Sequence, residues 1–147
     1  MPPAIPRLKR RAEFLRVAGA KRKWAMPGLV LQARLWKDGV SHEMPEIGFR
    51  VGFAVSKKVG KAVARNRARR RLRVVADRVL AAHAKPGFDF VVIGRAATIE
   101  RPFADLLRDM EAALRRVKAH RGANHHKGRE KDRGDEHREE AGRPEKA

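Results

Sequence analysis

The sequence predicts an α+β domain with charged appendages, and three observations predict it. Residues 29–36 and 47–55 alternate in side-chain character with a period of two, the mark of strands with two unlike faces, and residues 88–94, FDFVVIG, are a short apolar run of the buried-strand kind. Between the second and third of these strands, residues 61–83 place apolar side chains at helical spacing. A last segment opening at Pro102 sets Phe103, Leu106, Leu107, Met110, Leu114 and Val117 on one stripe, as a helix with a core-facing side requires.

The remaining elements follow in chain order. Pro2, Pro3 and Pro6 hold residues 1–7 in an extended leader that cannot begin a helix. Leu8, Ala12, Leu15 and Ala18 then recur at helical spacing, with Phe14 and Val17 on an adjoining face, and Gly19 ends this short helix. Lys21, Arg22 and Lys23 are expected to extend a basic surface before Pro27-Gly28 turns the chain into the first strand. In that strand Leu29, Leu31, Ala33 and Leu35 oppose Val30, Gln32, Arg34 and Trp36. In the next, Ile47, Phe49, Val51, Phe53 and Val55 oppose Gly48, Arg50, Gly52 and Ala54, where the small residues leave room either for a ligand or for another element. These two strands are expected to pair antiparallel. Ser56 is a candidate cap, Gly60 delays the regular helix to about Lys61, and Lys85-Pro86-Gly87 stops it.

Charge narrows the function. The chain has 147 residues, 36 of them Lys or Arg and 17 acidic, for a net charge of +19. Residues 121–147 carry only +1 of this, so the first 120 hold +18. A nucleic-acid footprint on the folded part is the expectation, not a basic tail. The last 27 residues contain no aliphatic side chain larger than Ala and no aromatic, so disorder is expected there. His125, His126 and His137 fall in that segment without cysteines or helical spacing, and no metal ligand is assigned to them. The chain has no cysteine, which fits a reducing cytoplasm and excludes disulfides and thiolate chemistry. No apolar run approaches the roughly 18 residues that span a bilayer.

The charge concentrates in residues 57–73, KKVGKAVARNRARRRLR, where nine of seventeen side chains are Lys or Arg and none is acidic. On a helix Lys61, Arg65, Arg69 and Arg73 form one ridge. Asn66, Arg70 and Asp77 lie to one side, and Ala64, Ala68, Leu72, Val75, Val79 and Ala82 make an apolar stripe elsewhere. Like charges at that spacing repel by roughly 0.2–0.5 kcal/mol per pair. An anionic partner removes the penalty, and phosphate is the natural one. Six of the nine cations are Arg, whose planar fork grips phosphate oxygens and stacks on bases. No Gly-rich phosphate loop with its Lys and Ser or Thr accompanies the ridge and the acids of the first 120 residues are scattered, so the sequence points to binding without catalytic side chains.

Residues 50–73, RVGFAVSKKVGKAVARNRARRRLR, resemble the signature of the protein subunit of bacterial ribonuclease P, through the Gly60 turn, the Arg65-Asn66-Arg67 triplet and Arg69, Arg70 and Arg73. Residues 9–17, KRRAEFLRV, are similar to that family's first helix, and residues 89–97, DFVVIGRAA, to its last strand. The resemblance covers residues 8–120 as one domain, with residues 1–7 and 121–147 outside it. It implies an α/β sandwich of order αβββαβα with a central mixed sheet and a left-handed βαβ crossover, of the ribosomal protein S5 domain 2-like type. Periodicity finds one strand fewer, and it would favour a right-handed crossover.

The implied function is removal of the 5′ leader from precursor tRNA, an endonuclease reaction whose Mg2+ is held by the RNA subunit, with no cofactor on protein side chains. The implied partners are the ribonuclease P RNA subunit and precursor tRNA, with no membrane and no obligate protein partner. Two surfaces carry over. Lys57, Lys58, Lys61, Arg65, Asn66, Arg67, Arg69, Arg70 and Arg73 would face RNA, with Asn66 either fixing the helix entry or bonding a nucleotide. Phe14, Val30 and Gln32 would line a cleft for the leader, Phe14 stacking a base. The family often has aromatics where this chain has Ala18 and Gln32, so the resemblance implies a grip leaning more on charge than on stacking. Arg71 stands where the family is usually apolar. A general RNA-binding protein with no part in a nuclease shares the charge and the lack of catalytic groups, and only the Arg65-Asn66-Arg67 setting separates the two.

Overall fold

The computed structural model describes residues 5–36 and 48–122. In chain order its elements are α1 (Arg11–Gly19), β1 (Arg22–Met26), β2 (Leu29–Leu35), β3 (Phe49–Ala54), α2 (Ala62–His83), β4 (Phe88–Gly94) and α3 (Phe103–Arg116). This is the αβββαβα order. The strands form one mixed sheet in the order β1-β2-β4-β3, with β1 and β4 antiparallel to β2, and β3 parallel to β4.

The pairing corrects one expectation. Strands β2 and β3 are not neighbours, because β4 lies between them. Alternation shows that each has one face to bury, but it does not choose a partner. The physical reason for the order is in β4, where every residue except the half-buried Ile93 is buried. A strand with no polar face needs cover on both sides and takes an inner position. The additional strand is β1, which ends at the Pro27-Gly28 turn and makes a hairpin with β2. Its inward-facing positions are Arg22, Trp24 and Met26, opposite Ala33, Leu31 and Leu29. Arg22 therefore does not extend the basic surface. It lies over the Phe88 ring at 5.5 Å and donates to the Val117 carbonyl, and burial lowers its pKa.

One face of the sheet carries the core. Leu29, Leu31, Ala33, Val51, Phe90 and Val92 meet Ala68, Leu72, Val75 and Leu80 of α2 and Leu106, Met110 and Leu114 of α3. Each fully buried Leu or Met there contributes about 1.5–3 kcal/mol of transfer free energy. The stripe expected for α3 is this surface, with Phe103 and Leu107 at its margin. On α2 the buried set includes Ala76 and Leu80, while Ala82 is exposed, so the stripe runs to one side of the line drawn from sequence.

The opposite face is covered by α1, and here the helix is turned from its expected orientation. Ala12, Leu15 and Ala18 are exposed, Leu15 by 55%, while Phe14 and Val17 on the adjoining face pack against Leu8, Val91, Ala54 and Ile93. Leu8 precedes the helix. It belongs to an extended run in which Val51 donates to the Pro6 carbonyl and Leu8 donates to the Val51 carbonyl. From Ile5 onward this run is packed on the outer side of β3, while Pro2 and Pro3 of the expected leader lie outside the described residues. The expected loop after Trp36, the expected start of the next strand at Ile47, and His125, His126 and His137 with the tail lie outside the described residues.

Candidate nucleic-acid interface

The basic helix is introduced by a short 3-10 turn, Lys57–Val59, in which the Ser56 side chain accepts from the Lys58 amide at 3.2 Å. Gly60 follows with φ of 149°, and a Cβ there would stand 2.9 Å from that of Ala64. A glycine is needed for the chain to enter α2 along this path. Arg65 donates to the Gly60 carbonyl at 2.9 Å and so braces the entry itself, with four of its five donors left for other partners. Asn66 does not fix the entry; its side-chain oxygen accepts from Arg69 at 3.2 Å.

Lys57, Lys58, Lys61, Asn66, Arg67, Arg70 and Arg73 are exposed, and Arg65 and Arg69 are half-buried. Among the described residues no carboxylate pairs with any cation from Lys57 to Arg73. Asp77, the first acid of α2, is engaged instead by a two-pronged contact from Arg7 at 3.0 and 3.1 Å. Arg71, the departure at a usually apolar place, points away from the ridge and donates to the Thr98 and Ile99 carbonyls at 2.7 and 2.8 Å. It ties α2 to the turn before α3.

Strand register places the second surface. On the face under α1, Val30, Ile93 and Ala54 form one cross-strand row, and Gln32, Val91 and Gly52 form the next. Phe14 lies over the second row; a Cβ on Gly52 would come within 2.6 Å of its ring. The small residue therefore answers to helix packing. Phe14, Val30 and Gln32 are all half-buried on this face, as are Ala54, one of the small positions expected to leave room there, and Ile93, which sequence reasoning missed. They share the parity of Gly52 and of Val91 along their strands, but only the register sets them beside Val30. Exposed Lys23 pairs with Gln32 in register and adds a cation to this face.

A polar cluster lies at one end of this face. Arg50 grips the buried carboxylate of Asp89 at 2.9 and 2.7 Å, reaches Glu13 at 3.3 Å, and lies over the Trp36 ring at 4.9 Å. Glu13 also accepts from the Lys9 and Arg10 amides at the start of α1. These amides, the Arg10 one foremost, together with Arg50 hold its pKa below the ordinary value in spite of partial burial. No described helix is long and apolar enough to cross a membrane.

Comparison with known proteins agrees with this fold. The ribonuclease P protein component of Paramagnetospirillum magneticum is 55% identical over 115 residues, covering 78% of this chain and 84% of that protein. That of Ruegeria pomeroyi is 46% identical over 128 residues, covering 81% and 98%. The RNase P protein of Staphylococcus aureus has a TM-score of 0.59 at 28% identity, over 77% of this chain and 95% of that one. The Thermotoga maritima protein has a TM-score of 0.60 at 25% identity, over 77% and 98%. A family model described as Ribonuclease P matches residues 3–118. On this match and these identities, the chain belongs to the ribonuclease P protein family.

Proposed function

We propose that this chain is the protein subunit of a ribonuclease P ribonucleoprotein that holds the catalytic RNA with α2 and the 5′ leader of precursor tRNA with the face under α1. The observation that carries the reading is the unpaired ridge from Lys57 to Arg73. Phosphates from two RNAs brought together repel each other, and the eight cations of the ridge, Arg71 being turned away, relieve that repulsion while releasing counterions. The chemistry then belongs to the RNA and its Mg2+. The protein supplies position and charge.

In the leader cleft the half-buried Phe14 ring stacks a base, a contact worth about 1–3 kcal/mol. Val30, Ile93 and Ala54 give an apolar floor, and Lys23 draws the backbone. The domain that does this work spans residues 8–120, with residues 5–7 fastened to it along β3 and residues 121–147 as an appendage. Its place of action is the cytoplasm, where precursor tRNA is made.

The test is cleavage of a precursor tRNA by the RNA subunit at low magnesium, with and without the chain. Arg67, Arg70 and Arg73 changed together to Ala are the informative variant, since none of the three braces the helix. The expected outcome is loss of stimulation, together with a binding slope of log K against log salt shallower by about 2–3. Unchanged stimulation overturns the assignment of the ridge. Tight RNA binding without stimulation by the native chain favours a general RNA-binding role.

A further inference from the structure

Away from both RNA surfaces, three ligand-type side chains meet where α2 ends. His83 is the last residue of α2, Glu111 is on α3, and His120 follows α3. One nitrogen from each ring and one oxygen of Glu111 lie within 4.8 Å of one another. Glu111 Oε2 stands 3.1 Å from His120 Nε2 and 3.9 Å from His83 Nε2. The rings are stacked, with centroids 4.8 Å apart and planes 17° from parallel, so both turn a nitrogen edge toward the same oxygen. In a tetrahedral shell with bonds of about 2.0–2.2 Å, neighbouring donor atoms are about 3.3–3.5 Å apart. The two spacings to Glu111 bracket that value. Only His83, with 38% of its side chain exposed, has to swing inward.

We propose that His83, Glu111 and His120 bind one divalent transition-metal ion of the zinc class, with water in the fourth position. Two imidazoles and a carboxylate suit zinc or cobalt and not magnesium, so this site is distinct from the ions that serve the RNA. Its position favours a cation, because the C-terminal end of a 22-residue helix carries partial negative charge. The supports are built: the Ala84–His120 bridge and the bond from the Lys85 amide to the Ala119 carbonyl fasten the His120 segment beside the helix end. Arg115 donates to Glu111 Oε2 at 3.0 Å, the same oxygen that faces both rings, so the guanidinium has to move off that oxygen or share it with the ion.

A second adjustment is required. The Gly122 amide donates to His120 Nδ1 at 3.0 Å, which leaves the ring proton on Nε2, facing Glu111. Binding through Nε2 moves that proton to Nδ1 and turns the Gly122 amide away. Gly122 has no side chain to resist the turn; a Cβ there would press on the His120 ring at 3.1 Å. The ion would then clamp α2, α3 and the chain after α3 together.

The experiment is a cobalt(II) titration of the full chain read by visible absorption, with zinc affinity from calorimetry. One ion per chain with the absorption of four-coordinate cobalt is expected, and zinc should raise the midpoint of thermal unfolding. His83→Ala and Glu111→Gln, both at partly exposed positions, should each weaken zinc binding by about tenfold or more. A third variant with His125, His126 and His137 changed to Ala should bind as the native chain does. Absence of binding overturns the proposal, as does binding that survives both His83→Ala and Glu111→Gln or is lost in the third variant.

Discussion

Under α2 and α3 the sheet presents mainly buried apolar side chains, Leu29, Leu31, Val51, Phe90 and Val92 among them, whereas on the opposite face α1 brings down Phe14 and Val17 and leaves Val30, Gln32, Ala54 and Ile93 half-covered. The first face holds the fold together. The second is too thin to do so by apolar burial alone, and it relies on the Arg50, Asp89 and Glu13 cluster to hold α1 in place. An incompletely covered sheet face beside an unpaired basic helix is what a binding protein can spare, because stability is supplied from the other side.

Removing one partner of the buried pair should have the largest effect. Arg50→Ala leaves the Asp89 carboxylate buried without its fork, and the expected loss is about 3–5 kcal/mol in chemical denaturation. A loss under about 1 kcal/mol would show that the thin face does not depend on its ions. On the dry face, Leu72→Ala should cost about 2–5 kcal/mol by the same measurement and leave leader affinity per folded molecule unchanged. Gly52→Ala separates the faces more sharply. Its methyl group drives into the Phe14 ring, for about 1–3 kcal/mol of strain, and leader binding should weaken while binding to the RNA subunit does not. Equal weakening of both would mean that α1 and α2 do not serve different ligands.

The smallest expected effect is at Glu13. Its folded pKa is lowered, so its stabilisation is present above the ordinary value of 4.5 and disappears as pH falls through the folded value. Glu13→Gln should be less stable than the native chain by about 0.3–1 kcal/mol at neutral pH, and the difference should close in acid. A gap that persists at the lowest pH would assign the role of Glu13 to its shape and not its charge.

Much of this architecture can be seen in the amino-acid order. The basic helix begins at Ala62 and ends at His83, within a residue of its expected limits, because Gly60 and Pro86 punctuate it. β4 announces an inner position through an apolar run that only Asp89 interrupts. β1 stays hidden because its core-facing side opens with Arg22, whose charge is covered by an aromatic ring and a carbonyl supplied from residues far along the chain. The orientation of α1 is hidden for a related reason: Leu15 and Ala18 look like core, and Phe14 is drawn down by Gly52, an absence of side chain on another strand. His83, Glu111 and His120 are separated by 28 and 9 residues and match no ligand spacing. Only the packing of α2 on α3 unites them.

The placement of β4 between β2 and β3 also imposes an order of events on a chain made from its N-terminus. The β1–β2 hairpin can close as soon as it is synthesised, but β3 has no strand to join until Gly94 is reached, roughly forty residues after Ala54. At ordinary translation rates that is about 2–8 s. During that interval one edge of β3 is covered by residues 6–8, where Pro6 lacks an amide and Arg7 is charged, two features that discourage pairing with foreign strands. The opening residues of this protein thus act as a temporary selvedge for a sheet whose middle thread is woven last.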